Sequence, residues 1–400
     1  MPSFYEFFAG GGMARAGLGP QWTCLFANDI DAKKGAGYAA NWGEEHLKIA
    51  DVGSLSTDDL GGAASLAWAS FPCQDLSLAG SGAGLNGKRS GTFWPFWRLM
   101  LELGNRGRAP SLIVLENVCG ALTSHGGKDF AALCAAIAQA GYRFGALVID
   151  AVHFLPQSRP RLFIICVRGG NNVPDDLVSG DSDPVWHPPN LTKAREKLSR
   201  ESKAKWIWWR LPKPPQRTAT FRDLIEEEPQ GVAWHTLAET KHLLSLMGPL
   251  HRKKVEQAKT MGGRMVGGIY KRMRKDEQGK PRQRAEVRFD DVAGCLRTPV
   301  GGSSRQSIIL VEGKKVRSRL LSPREAARLM GLPDGYQLPR NYNEAYHLAG
   351  DGVAVPVVRF LAAHLLEPLL RSEESHSMEA RMKMPAGVLK KEPASFELRR

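Results

Sequence analysis

The sequence predicts an α/β fold on a mixed, mostly parallel sheet, and three stretches carry that prediction. Ser3-Phe4-Tyr5-Glu6-Phe7-Phe8 reads as a strand, and Ala9-Gly10-Gly11-Gly12 turns it into a helix over Met13 to Leu18, the strand–glycine–helix order of a nucleotide-type site. Ser111-Leu112-Ile113-Val114-Leu115 is a continuous apolar run, as a strand covered on both faces requires. Leu66 to Ser70 is a third, short strand, which Phe71-Pro72 stops because proline brings no N–H to the sheet ladder. In open sheets of this class ligands collect beyond the carboxyl ends of the strands, so the residues just past each strand are the candidates for chemistry.

In chain order, Phe8 precedes Gly10, Gly11 and Gly12, which let the backbone turn sharply and approach a ligand closely, while the free N–H groups of the helix behind them complete a polar cradle. Thr23 to Asn28 is a second strand, ending at Asp29-Ile30-Asp31. Asp29, about twenty residues past the glycines, is placed to accept hydrogen bonds from ribose hydroxyls, whereas Asp31 before Ala32-Lys33-Lys34 suits a helix N-cap. Ile49-Ala50-Asp51-Val52 reads as another strand tip, where Asp51 is positioned to receive an adenine amino group.

Cys73 follows Pro72 and is a thiol presented at a strand end, open to two readings: a nucleophile or a small buried hydrophobe. Gln74 and the glycine-rich stretch from Ser77 come next, too loose to pack and suited to a loop that closes over substrate. Phe93, Trp94, Phe96, Trp97 and Met100 have the spacing of a core helix. Glu116-Asn117-Val118 ends the central apolar strand, and Glu116 sits near Cys73 if their strands are neighbours, as an acid or hydrogen-bond partner. After a helix over Lys128 to Ala140, strands at Ala146 to Val152 and Leu162 to Val167 flank Pro156-Gln157-Ser158-Arg159-Pro160-Arg161. Arg159 and Arg161, two apart on extended chain, face one side and can address one electronegative group.

Charge and aromatic content then shift. Of the net charge of +14, Asn171 to Ser318 supplies +11, with 29 Lys and Arg against 18 Asp and Glu, and this region also holds five of the ten tryptophans. A basic, aromatic segment of this kind points to nucleic acid: basic groups hold phosphates while arginine forks and aromatics reach bases. The divisions expected are a core over 1–169, a recognition domain over 170–318 with Arg305 in a glycine-poised turn near its end, a return to the core over 319–370, and a disordered tail over 371–400. Ser322 and Glu325 form a capping box with Pro323 at the first helical position. The six cysteines are scattered, with no metal-like grouping, and reduced thiols are expected. No apolar run reaches the ~18 residues of a membrane span and the N-terminus lacks a signal peptide's basic start, so a soluble cytoplasmic protein, a monomer without membrane contact, is expected.

Taken together, FFAGGG, FPCQ, LENV, QSRPR, SPREAARLMGLPDGY and GDGVAVPVV resemble, in order, the motifs of the DNA cytosine-5 methyltransferase family, over roughly Ser3 to Leu370. The resemblance implies a Rossmann-like methyltransferase core with a smaller, irregular target-recognition domain, double-stranded DNA as substrate, and S-adenosyl-L-methionine as cofactor. It places Phe8, Gly10, Gly11, Gly12, Asp29, Ile30, Asp51, Pro72, Asp351 and Val353 at the cofactor; Gln74, Ser77, Asn117 and Arg305 are expected at the DNA, Ser77 on its position in the loop alone and Arg305 on its glycine-poised turn. Ile30 stands where the family has a large aromatic, and Asp351 where it has an amide.

By the same resemblance the catalytic residues are Cys73, Glu116, Arg159 and Arg161. Carbon 5 of cytosine is a weak nucleophile until a thiolate adds to carbon 6, with Glu116 at ring nitrogen 3 and the arginines offsetting negative charge. The target base must leave the helical stack, as for methyltransferases generally. A tRNA methyltransferase with the same core and a non-catalytic DNA-binding member of the family are the competing readings. A cognate restriction endonuclease is the partner protein a modification enzyme can accompany.

Overall fold

The structure is a computed structural model that describes residues 1–72, 92–275, 278–296 and 305–382, with backbone only over 377–382. In chain order, β1 (Ser3–Phe7), α1 (Met13–Leu18), β2 (Thr23–Asp29), α2 (Ala32–Trp42), β3 (Leu47–Ile49), β4 (Leu66–Ala69), α3 (Phe93–Asn105), β5 (Leu112–Val118), α4 (Lys128–Gln139), β6 (Tyr142–Asp150) and β7 (Pro160–Arg168) build the larger unit. Its seven-stranded sheet has the order β3-β2-β1-β4-β5-β7-β6. Pairing is parallel from β3 to β5, and β7 runs antiparallel to both β5 and β6.

Strand alternation sends successive residues to two separate apolar layers. Phe4, Leu66, Trp68, Leu112 and Val114 face one layer, shared with Met13 and Leu18 of α1. Tyr5, Phe7, Ala67, Ala69, Ile113 and Leu115 face the other, where Phe96, Trp97 and Met100 of α3 and Phe130, Leu133 and Ile137 of α4 are buried. The α3 aromatics are thus core, as their spacing predicts.

The segment expected as one recognition domain over 170–318 divides in two. β8 (Val178–Ser179), α5 (Pro189–Glu196), α6 (Arg200–Ala204) and β9 (Trp208–Trp209) lie against the β6 side of the main sheet. There Trp206 meets Phe130 and Phe144 edge-on, and Val148 N–H donates to Trp186 O at 2.8 Å. The second part comprises α7 (Leu237–Ser245), α8 (Pro249–Met261), β10 (Arg264–Lys275), β11 (Pro281–Arg288), β12 (Ser307–Glu312) and β13 (Lys315–Leu320). Its antiparallel sheet of order β11-β10-β12-β13 has its own small core of Leu243, Met247, Val255, Ile269, Val287 and Ile309. Four of the region's five tryptophans, Trp186, Trp206, Trp208 and Trp209, lie in the first part, and Trp234 bridges to Arg319 of β13.

The chain then rejoins the main unit through α9 (Pro323–Leu329), α10 (Tyr342–Asp351), α11 (Val355–Leu361) and α12 (Glu367–Met382). The Ser322–Glu325 capping box forms as expected. Between α11 and α12 a π-turn, Ala362–Leu366, carries the helix on. Tyr342–His376 contains a window apolar enough for a membrane span, but 61% of that window is buried inside the protein. The disorder expected from 371 starts too early: α12 runs to Met382, tied to the body by Glu373 Oε1 accepting from Ser111 Oγ at 2.8 Å and by Asn172 Nδ2 donating to Ser372 Oγ at 2.8 Å. A run of polar residues reads as solvent-facing tail in sequence, and these two contacts come from residues far away in the chain.

Candidate active site

A cleft of about 1330 Å³ opens at the carboxyl ends of β1, β2, β4 and β5 and is bordered on its far side by β10 and β11 of the antiparallel sheet. The glycine turn shapes its floor. Phe8 and Gly10 both take left-handed backbone, φ 58° and 55°, and a bulky residue there marks a strained turn. Asp29 fixes that turn: its Oδ2 accepts from Gly10 N–H at 2.8 Å and its Oδ1 from Asp31 N–H at 2.9 Å. Asp31 caps α2 as expected, accepting from the N–H groups of Lys33 and Lys34. Ile30 protrudes beside them with 67% of its surface exposed.

Gly11 and Gly12 do not line the cleft; they let the turn pack from behind. A Cβ on Gly11 would lie 2.5 Å from Tyr336 Oη, and one on Gly12 would lie 2.4 Å from Trp42 Nε1. Tyr336 Oη and Trp42 Nε1 both donate to Gly11 O, at 2.6 and 3.1 Å. Asp51 also lies outside the cleft lining, where its Oδ1 accepts from Gly53 N–H at 2.7 Å and caps a short 3-10 turn.

At the other end of the cleft the parallel pairing of β4 with β5, Ala69 opposite Leu115, puts the Phe71-Pro72 exit beside Glu116. Asn117 Nδ2 donates to Phe71 O at 3.0 Å and fastens the two strand ends together. The expected nucleophile Cys73, with Gln74, Ser77 and the proposed closing loop, lies outside the described residues. Glu116 is 7% exposed, and its Oε1 is 3.3 Å from Arg161 Nε.

The two arginines have different duties. Arg161 pairs with Glu116 and also donates to Pro160 O at 2.9 Å. Arg159 is buried, with one guanidinium nitrogen on Leu296 O and Cys295 Sγ, at 3.1 and 3.3 Å, and the other on Gly350 O and Gly352 O, at 2.8 and 2.6 Å. Burial, and then the like charge of Arg161, pull its guanidinium down to about 10, which leaves it cationic at neutral pH. Arg159 therefore ties the start of β7 to the segment at 295–296 and to the end of α10.

That second tie places Asp351 and Val353 in the cleft lining, where Lys34 Nζ lies 2.8 Å from Asp351 Oδ2. Arg305 stands apart, stacked over Tyr342 with its guanidinium carbon 5.4 Å from the ring centroid and hydrogen-bonded to Asn343 Oδ1.

Sequence reasoning missed several cleft residues. Glu6 is 1% exposed, its Oε1 accepts from Arg15 N–H at 3.3 Å, and its buried Oε2 has no hydrogen-bond partner among the described residues. Burial pushes its carboxyl up to about 8. The signal was available, since an acid interrupts an otherwise aromatic strand. Lys34 has none to distinguish it from Lys33, and Tyr270, Arg272, Arg288 and Cys295 reach the cleft only because the second sheet folds over it.

Residues 3–367 match the C-5 cytosine-specific DNA methylase family. The chain is 24% identical over 365 residues to the type II methyltransferase M.HhaI of Haemophilus parahaemolyticus, covering 90% of this chain and 93% of that protein. It is 25% identical over 366 residues to M.NlaX of Neisseria lactamica, covering 90% and 95%. Among solved structures, the Dnmt2 methyltransferase of S. pombe superposes with a TM-score of 0.55 at 18% identity, over 92% of this chain and 99% of that one.

Proposed function

The chain belongs to the C-5 cytosine-specific DNA methylase family, and we propose that it methylates carbon 5 of a cytosine drawn out of a specific duplex DNA sequence, through a covalent bond to Cys73. The observation that carries this reading is the convergence, in one cleft, of the β4 exit leading into Cys73, the Glu116–Arg161 pair and the Asp29-braced glycine turn. The cofactor, S-adenosyl-L-methionine, supplies a methyl group on a positively charged sulfur.

The residues present fit such a group. The lone buried oxygen of Glu6 is a hydrogen-bonding group without a partner among the described residues, and the strained Phe8–Gly10 turn opens backbone to a ligand. A Cβ on Gly10 would meet nothing within 4 Å, so that position is open space. Asp29, Ile30 and Val353 all line the cleft. The Lys34–Asp351 pair holds the end of α10 against α2 where the family's amide would be.

In the reaction the Cys73 thiolate adds to carbon 6 of the ring, and the electron pair released makes carbon 5 nucleophilic. Glu116 holds the proton at ring nitrogen 3, which keeps the added negative charge off the ring. Arg161, fixed by Glu116, presents its guanidinium to the ring oxygen side, and both side chains are largely buried. Once carbon 5 carries the methyl group, loss of its proton to a base expels the thiolate and restores the ring. Arg159 serves as a positioning residue, since its guanidinium is engaged with backbone on both sides.

Bisulfite sequencing of DNA from cells expressing the chain tests the proposal. Protected cytosines within one short repeated sequence, absent with Cys73→Ala, are the expected result. Full conversion of DNA together with methyl transfer to tRNA in vitro would instead favour the RNA reading.

A further inference from the structure

Cys295 follows β11 in the chain and lines the cleft with partial exposure. Its Sγ accepts from Arg159 Nη1 at 3.3 Å and from Arg161 Nη2 at 3.8 Å, and lies 3.4 Å from Leu296 O. Two guanidinium cations beside a partly exposed sulfur are the surroundings in which cysteine reacts with oxidants. The other described cysteines differ. Cys24, Cys134 and Cys166 are buried, and burial pushes all three thiols up. Burial also pushes the Cys119 thiol up, against the pull of Arg161.

The groups around Cys295 carry a second signal. Tyr270 Oη is buried without a hydrogen-bond partner among the described residues. It lies so close over Gly294, the residue before Cys295, that a Cβ there would be 1.9 Å from it. Gln306 is 2% exposed and lines the same cleft, and neither its Nε2 nor its Oε1 has a partner among the described residues. These two side chains are neighbours, since a Cβ on Gly268 would lie 3.1 Å from Gln306 Nε2 and 3.8 Å from Tyr270 Oη. Burial pushes the Tyr270 hydroxyl up, so it keeps the proton it can donate. Buried donors left unpaired cost stability, and here they point to an acceptor oxygen that arrives beside the thiol.

We propose that Cys295 is a modification site where hydrogen peroxide oxidises the thiol to a sulfenic acid, whose oxygen is received by Arg159, Arg161, Tyr270 and Gln306. The thiolate sulfur attacks one peroxide oxygen, and the S–O bond forms as the O–O bond breaks. The hydroxide released takes up the proton the thiol gave off and leaves as water. Sulfur is thereby oxidised by two electrons and the peroxide reduced. A small-molecule thiol reverses the change: one equivalent displaces the oxygen as water and forms a mixed disulfide, and a second frees the Cys295 thiol. Arg161 reaches Glu116 through Nε at 3.3 Å and Cys295 through Nη2 at 3.8 Å, so an acceptor oxygen on the sulfur competes with Glu116 for it. Oxidation then slows methyl transfer, a consequence that rests on the proposed function.

The test begins with the full chain carrying Cys73→Ser, which removes the proposed nucleophile. It is treated with hydrogen peroxide and dimedone, a probe that couples to sulfenic acids, and the labelled peptides are identified by mass spectrometry. The Cys295 peptide should be labelled about tenfold faster than the Cys119 peptide. Equal or slower labelling of Cys295 would overturn the proposal. Methyl transfer gives the second readout. After a matched peroxide dose the wild-type chain should lose about tenfold in rate and recover it with dithiothreitol, whereas Cys295→Ser should keep most of its own starting rate. Equal loss in both would assign the inactivation to another thiol and refute the switch. Serine keeps the shape of cysteine, so both variants are expected to melt as the wild type does. If the wild-type chain transfers no methyl group to DNA, the functional reading fails and the labelling result alone decides the modification site.

Discussion

Glu116 is held 3.3 Å from Arg161 and buried to 7% exposure at the tip of a central strand, so its side chain has little freedom to adopt another role. Glu116→Gln keeps the shape and removes the acid. Methyl transfer in single-turnover assays should fall by about 10²–10⁴-fold, with cofactor affinity unchanged. Glu6 makes a different prediction. Its carboxyl is raised from the usual 4.5 to about 8 in the folded protein by burial, so the folded state holds a proton that the unfolded chain releases. Stability is therefore lost as pH rises from about 4.5 to 8, and Glu6→Gln, which cannot ionise, should melt at a higher temperature relative to wild type at pH 8 than at pH 5. Scanning fluorimetry at the two pH values checks the sign. At this scale the sequence was legible where a residue sits at the end of its own strand: Asp29, Glu116 and Arg161 all line the cleft. It was not legible where the answer depends on a distant partner. Asn117 serves the Phe71 carbonyl and Arg159 the backbone near 296 and 350, and neither contact has a signature in local spacing.

The elements that set the cleft are joined by few, well-buried links. β13 meets α9 through Arg319 and Glu325, both fully buried, with paired hydrogen bonds of 2.6 and 2.7 Å. A third bond runs from Arg319 to Glu226 O at 3.0 Å. Truncating one member strands the other charge in the interior, so Arg319→Ala should cost about 3–5 kcal/mol in denaturant unfolding, while Arg319→Ala/Glu325→Ala should cost less than the sum of the single changes. The strand and helix elements themselves were readable from sequence: α1, the Asp31 cap and the Ser322–Glu325 capping box stand where glycine, cap and apolar spacing put them. The extension of α12 past 371 was not, because polar side chains hold it to Ser111 and Asn172.

For the whole molecule, both sheets line the cleft, with the residues proposed for methyl transfer on the parallel side and the basic excess on the antiparallel side. In the proposed DNA reaction, the central region's charge of +11 points to phosphate contact as the main source of affinity. Binding to duplex DNA should weaken about 10³-fold or more between 50 and 200 mM salt, whereas S-adenosylhomocysteine binding should hardly change. A flat response for DNA would leave the basic region without its role. Composition made that region visible, but only the fold separates residues 171–211, packed on the main sheet, from β10 and β11 beside the cleft.

The central claim is a covalent bond between Cys73 and the target ring, and trapping measures it directly. The full chain, duplex DNA carrying 5-fluorocytosine at the target position and S-adenosylmethionine should give a complex that survives SDS electrophoresis, because fluorine at carbon 5 cannot leave as a proton does. Cys73→Ser should bind the same duplex and give no such complex. Good binding of that duplex by the wild-type chain without any SDS-stable species would contradict the account.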